Sequence, residues 1–213
     1  MVQNTSVATK PGKGRPRGFD AEVVLGQVRD TFWRHGFAGT SMDQISAATG
    51  LHKPSLYGAF GDKKQLFMET LNRYRAEARE QIGAALSKPA IVDSIAEMLE
   101  RAIAMFTRAD CQGGCFMMNI AVPVAAGDPE VTAFVRDSIE ALDRGLIRRF
   151  ERAIADGELA ASVDPAALAR IVVTSHYELS MRARAGYSAA ELKALASKTL
   201  AVVRIVAGIT SDS

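Results

Sequence analysis

The stretch from Ser41 to Lys63, SMDQISAATGLHKPSLYGAFGDK, constrains the fold more than any other part of the chain. It contains two short helical patterns pinched together at Gly50. Ser41 with Gln44 three residues on makes a capping box, and Ile45 and Ala48 share one face of the first helix. Glycine is the residue type that leaves a helix in a left-handed conformation without a Cβ penalty, so Gly50 predicts a sharp turn. Leu51 then points back at the core. A second helix runs from His52 to Phe60, with Pro54 tolerated in its first turn. Leu56 and Phe60 lie one turn apart on its inner face, leaving Lys53, Ser55, Tyr57 and Ala59 for solvent or a partner. Two short helices at a steep angle, the second polar and basic near its start, describe a helix-turn-helix.

The surrounding chain is helical throughout. Asp20 predicts the N-cap of helix 1, whose inner stripe is Val24, Val28 and Phe32, with Gly36 as its stop. Asp62 with Gln65 caps helix 4, whose stripe is Leu66, Phe67, Leu71 and Tyr74. Pro89 ends it, and helix 5 is expected over Ile91–Arg108. After a Gly-rich break, Phe116 to Ala125 reads as an apolar helix interrupted by Pro123. Helix 7 carries the long stripe Val131, Val135, Ile139, Leu142, Leu146, Phe150 and Ile154, closed by Gly157. Asp164-Pro165 caps helix 8, which Gly186 ends, and Ser188 with Glu191 boxes helix 9. No segment alternates as a strand would, so the chain is read as all-α with about nine helices.

Residues 1–18 differ from the rest. Lys10, Lys13, Arg15 and Arg17 occur there with no acid before Asp20, as in a solvated basic arm. Its GRPRG segment resembles the core of an AT-hook, whose extended Arg-Pro-Arg enters a narrow A·T minor groove; that implies DNA contacts for Arg15 and Arg17. A tail that merely aids solubility is the alternative. No apolar run approaches the ~20 residues needed to cross a bilayer, and the N-terminus lacks an apolar signal segment. With two cysteines among 213 residues, a reducing, cytoplasmic setting is expected.

The run GFAGTSMDQISAATGLHKPSLYGAFGDKKQLF resembles the DNA-binding domain of the TetR (tetracycline-repressor) family. The features that carry the resemblance are the glycine-aromatic entry ending in Thr40-Ser41, the turn at Gly50-Leu51, Ser55-Leu56-Tyr57, and the exit Asp62-Lys63 followed by Leu66-Phe67. It implies an N-terminal three-helix DNA-binding domain over 19–70 and a ligand-binding and dimerisation domain over 71–213. Function would then be that of a transcriptional regulator, a repressor released from a palindromic operator in double-stranded DNA by a small-molecule inducer. The resemblance further implies a homodimer paired through helices 8 and 9. It puts Lys53, Ser55 and Tyr57 at DNA-contacting positions, with His52 beside them. Gly58 and Ala59 stand where relatives often carry larger side chains, which implies sparse base readout. Thr40, Ser41 and Lys63 lie at helix starts, where free N–H groups suit phosphate oxygens.

For the second domain the candidate ligand contacts are Leu71, Phe106, Cys115, Phe116, Asn119, His176 and Tyr177. The Met, Phe and Tyr content of helices 5, 6 and 8 suits either a packed core or an adaptable cavity. GGCFMMN (Gly113 to Asn119) resembles a stretch in some ligand-binding domains of the same family. Cys115 at a helix start is expected to have a lowered pKa, which makes a thiol-based redox or electrophile sensor the alternative trigger. Cys111 and Cys115 are too few ligands for a closed zinc site, and neither metal nor cofactor is expected. A helical enzyme is the competing class, but the chain has no phosphate loop, HExxH or nucleophile elbow. A scaffold without DNA binding leaves the basic arm unexplained.

Overall fold

The computed structural model describes residues 19–109 and 112–208. Among these, nine α-helices and one π-helical turn follow in order: α1 (Ala21–Gly39), α2 (Met42–Thr49), α3 (Lys53–Phe60), α4 (Lys63–Leu86), α5 (Ile91–Phe106), the π turn (Met117–Ala121), α6 (Val122–Ala125), α7 (Pro129–Ala155), α8 (Pro165–Arg184) and α9 (Ala189–Val206). The all-α expectation holds, and no described residue is in a strand. No helix among the described residues is long and apolar enough to cross a membrane.

Polar side chains cap the starts of α1, α2, α4, α7, α8 and α9. The Glu22 amide donates to Asp20 Oδ1 at 2.8 Å. At α2 the Gln44 amide donates to Ser41 Oγ at 3.2 Å, and the Ser41 amide donates back to Gln44 Oε1 at 2.7 Å. Asp62 with Gln65 and Ser188 with Glu191 repeat the same box at α4 and α9. Gly50 takes φ 68°, ψ 5°, so the turn between α2 and α3 needs a residue without a Cβ. Gly36, with φ 72°, breaks α1 internally rather than ending it, and a last turn continues to Gly39.

One continuous core joins the elements. Val24, Val28 and Phe32 of α1 are buried with Ile45, Leu56, Leu66 and Phe67 of the next three helices. Further on, α5, α7, α8 and α9 bury Ile95, Leu99, Phe106, Leu146, Phe150, Val172, Leu179 and Leu192. α4 is about 36 Å long at 1.5 Å per residue. It packs on α1 at its start and on α5 and α7 beyond.

Two features depart from the sequence reading. Phe116–Ala125 is not one α-helix but a π turn that hands over to α6. Pro123 has no N–H to give the Asn119 carbonyl, and just before it the Val122 amide reaches back five residues to the Met117 carbonyl. The second is Arg149, which the apolar reading of α7 passed over although it is only 3% exposed. Its guanidinium donates to Ser94 Oγ at 3.2 Å, Pro89 O at 2.8 Å and Glu158 Oε1 at 3.3 Å. Glu158 in turn accepts the Ile91 amide at 2.5 Å. One buried charge thus ties the α4–α5 corner to α7, with its hydrogen-bonding capacity met by carbonyls and a carboxylate.

Candidate DNA-binding face and ligand cavity

The outer face of α3 is polar and accessible. His52 and Ser55 are exposed, Tyr57 is 48% exposed, and Ser41 lies exposed at the start of α2. Leu56, at 0% exposure, anchors the opposite face of α3 in the core, so the helix presents a fixed side outward. Lys53 Nζ lies 2.6 Å from Asp43 Oδ1 of α2, and that hydrogen bond raises its pKa. The ion pair braces the two helices while leaving the ammonium at the surface.

Two sequence candidates for phosphate contact are placed otherwise. Thr40 is 2% exposed, and its hydroxyl donates to Gly36 O at 2.6 Å, tying off the break in α1. Lys63 turns inward: Nζ donates to Phe37 O and Thr40 O, each at 3.1 Å, and stands 4.5 Å from the Phe37 ring centroid. Phe37 O also accepts the Thr40 amide at 3.3 Å, and Lys63 adds a charged donor to these carbonyls at the end of α1, which holds its ammonium against that helix. Arg15 and Arg17 lie outside the described residues.

The second site is a cavity of about 640 Å³ lined from α4, α5, α7, α8 and the segment leading into the π turn. Its inner end is formed by Tyr74, Met105, Phe106, Cys115, Met117, His176 and Tyr177. Phe106, Cys115, His176 and Tyr177 are thus brought together as the sequence suggested. Leu71, Phe116 and Asn119 are not among the lining residues. Leu71 is fully buried in the core, and Phe116 packs against Trp33, Phe67 and Tyr74 instead. Asn119 Nδ2 donates to Gly113 O at 3.0 Å and holds the loop before the π turn.

That loop lies against α8 because Gly113 and Gly114 allow it. Both have positive φ, and a Cβ on either would stand 2.6 Å from a carbonyl oxygen of α8, that of Ala183 or Ser180. The close approach delivers the Cys115 amide to Ser180 Oγ at 2.9 Å. It also places Cys115 Sγ 3.3 Å from Tyr74 Oη, which accepts the Phe116 amide at 3.3 Å.

The inner end is uncharged. Burial lowers the His176 pKa to about 4 and pushes the Tyr177 phenol up to about 12. His176 Nδ1 and Tyr177 Oη are buried with no hydrogen-bond partner among the described residues. Burial also pushes the Cys115 thiol up, with the Tyr74 hydrogen bond opposing it only in part. The lowered pKa expected at a helix start is therefore reversed: desolvation outweighs the N–H groups, and the thiol is protonated. Cys111 lies outside the described residues. Among the described residues no cluster of metal-ligating side chains forms.

Comparison with known proteins agrees with both halves. Residues 27–70 match the family model of bacterial regulatory proteins of the tetR family, and residues 92–198 match that of the tetracyclin repressor-like C-terminal domain. The HTH-type transcriptional repressor ComR of Escherichia coli (strain K12) is 27% identical over 202 residues, covering 94% of this chain and 96% of ComR. A cysteine mutant of the TetR family transcriptional regulator CifR, complexed with 26-bp double-strand operator DNA, superposes with a TM-score of 0.76 at 31% identity. That match covers 88% of this chain and 98% of CifR. A TetR transcriptional regulator from Chloroflexus aurantiacus J-10-FL gives a TM-score of 0.76 at 27% identity, over 85% and 92% of the two chains.

Proposed function

The chain belongs to the TetR family of bacterial regulatory proteins, and from that premise we propose that it is a one-component transcriptional repressor. It binds a palindromic operator as a homodimer and leaves it when a small molecule fills the cavity. Residues 19–70 act as the DNA-binding unit and 71–213 as the sensing and pairing unit, in the cytoplasm. The carrying observation is the rigid outward face of α3, where His52, Lys53, Ser55 and Tyr57 surround one side of a helix anchored by Leu56. Ser41 adds a hydroxyl at a helix N-terminus, a position suited to phosphate. Arg15 and Arg17 reach the adjacent minor groove. ComR carries the name of a repressor, and CifR is complexed with operator DNA, which favours repression over other regulation.

Pairing through α8 and α9 is supported by their exposed apolar residues. Ile171 and Met181 of α8 are 41% and 68% exposed, and Val202 and Ile205 of α9 are 39% and 74% exposed. Leu192 and Val203 of α9 are buried within the subunit, so the exposed apolar face of that helix is the one that carries Val202 and Ile205. A small-molecule trigger is favoured over thiol chemistry, since Cys115 is buried and its thiol is held protonated.

Fluorescence anisotropy on a pool of random duplexes tests the DNA face. The wild type is expected to bind with a steep salt dependence. The paired substitution Lys53→Ala, Tyr57→Ala is expected to weaken binding at least tenfold. Equal binding by wild type and variant would contradict the assignment of α3.

A further inference from the structure

We propose that the cavity takes an amphipathic organic anion, whose carboxylate, sulfonate or phosphate sits between two rows of arginines on α4 and α7. This rests on the reading of the cavity as the sensing site and adds the chemical class of what it senses. Arg75 and Arg79 project from α4 one turn apart, and Arg144, Arg148 and Arg152 follow at one-turn intervals on α7. All five line the cavity, and no Asp, Glu or Lys lines it among the described residues. Five like charges around one opening repel one another unless an anion joins them.

The chain supplies only part of that neutralisation, and from outside the lining. Asp137 Oδ2 lies 2.9 Å from Arg75 and 3.8 Å from Arg79, and its Oδ1 lies 3.7 Å from Arg144. One carboxylate is thus shared by three guanidiniums. Glu140 takes Arg144 at 3.3 Å but also holds Arg136 at 2.9 Å. Arg152 donates to the Leu86 and Lys88 carbonyls, which leave its charge uncompensated. Arg148 is exposed and forms no ion pair among the described residues.

The polarity changes along the cavity. Arg79 and Arg144 side chains are 56% and 51% exposed, so the arginine end is the mouth. Phe106 is fully buried at the other end, beside the unpartnered Nδ1 of His176 and Oη of Tyr177. An apolar body with a hydroxyl or carbonyl near its tip would fill the inner end and meet those two groups. The head would remain at the wet mouth, where guanidiniums hold oxyanions by paired hydrogen bonds. A head bridging the two rows would also draw α4 toward α7, which makes the charge part of the switch.

A matched pair of dyes tests the charge preference. 1-Anilinonaphthalene-8-sulfonate and N-phenyl-1-naphthylamine share one ring system, and only the first carries an anion. The sulfonate is expected to bind the wild type at least tenfold more tightly, with an affinity that falls as salt rises. Arg148→Glu and, separately, Arg79→Glu are expected to remove that preference, read as the ratio of the affinities of the two dyes for the same variant. Both positions are exposed, and thermal melts of the two variants report whether they remain folded. Displacement of the sulfonate by octanoate or by phenylacetate, but not by 1-octanol, supports the proposal and separates an aliphatic from an aromatic body. Equal affinity for the two dyes, or a preference that survives both charge reversals, would overturn it while leaving the cavity a ligand site. Binding of neither dye would overturn the sensing role of the cavity itself.

Discussion

The Trp33 ring of α1 and the Phe116 ring at the start of the π turn have centroids 5.4 Å apart. Tyr74 of α4 completes the contact, edge-on to both, at 6.2 Å from Trp33 and 5.6 Å from Phe116. Its hydroxyl accepts the Phe116 amide and faces Cys115 in the cavity. The DNA-binding half and the cavity therefore meet through an aromatic cluster as well as through the length of α4. A ligand that moves the Cys115–Met117 segment moves a side chain packed directly on α1. For a tenfold loss of operator affinity it must favour the moved state by ~1.4 kcal/mol.

Removing Phe116 is expected to be costly in two ways. Phe116 is fully buried, so Phe116→Ala should lower unfolding free energy by about 3–5 kcal/mol in urea titrations. Trp33 is the sole tryptophan of the chain, and its emission is expected to shift to the red as water enters the gap. An unshifted spectrum with unchanged stability would place the Trp33–Phe116 contact outside the folded core.

His176 gives a pH signature. Its pKa is about 4 when folded and near 6.5 when unfolded. Between those values the unfolded chain takes up a proton that the folded chain does not, so acidification favours unfolding. The contribution is complete above pH 6.5 and is lost as pH falls toward 4, in total about 3 kcal/mol. His176→Leu is expected to flatten that part of the urea-midpoint curve. Parallel curves for variant and wild type would mean that the imidazole is not held neutral by burial.

The two lysines near the DNA face should separate cleanly. Lys63→Ala removes a donor from two carbonyls and is expected to cost about 1–3 kcal/mol of stability, with little change in the salt slope of DNA binding. Lys53→Ala is expected to flatten that slope by about one unit per subunit while the melt changes little. The reverse assignment of effects would return Lys63 to the phosphate backbone.

Paired substitutions Met181→Glu and Ile205→Glu put charges on the exposed apolar face of α8 and α9. Sedimentation is expected to show a monomer where the wild type is a dimer, with operator affinity reduced at least a hundredfold. A dimer that persists would move the interface to another face.

The helix starts and the turn at Gly50 were legible because local chemistry sets them: Asp20, Ser41, Asp62 and Ser188 each satisfy amides within three residues. Facing could not be read as well. Val203 and Val202 are both apolar neighbours on α9, and only the packing of α5 and α8 decides that the first is buried. The inward turn of Lys63 is not legible locally, because its partners, Phe37 and Thr40, lie more than twenty residues away. The same holds for two partners of Arg149, Pro89 and Ser94, which lie more than fifty residues away. In the cavity, Phe106, His176 and Tyr177 carried a signal in their polarity and size. Nothing in the spacing of Arg75 and Arg79 showed that Arg144, Arg148 and Arg152 would face them across an opening.

Selection of tight-binding duplexes from random DNA by the purified protein tests the central claim most directly. The expected outcome is a two-fold symmetric sequence, with half-sites about one helical turn apart, retained by the wild type and lost by the Lys53→Ala, Tyr57→Ala protein. Recovery of no common sequence, or of one that the variant binds equally well, would contradict the reading of this chain as an operator-binding regulator.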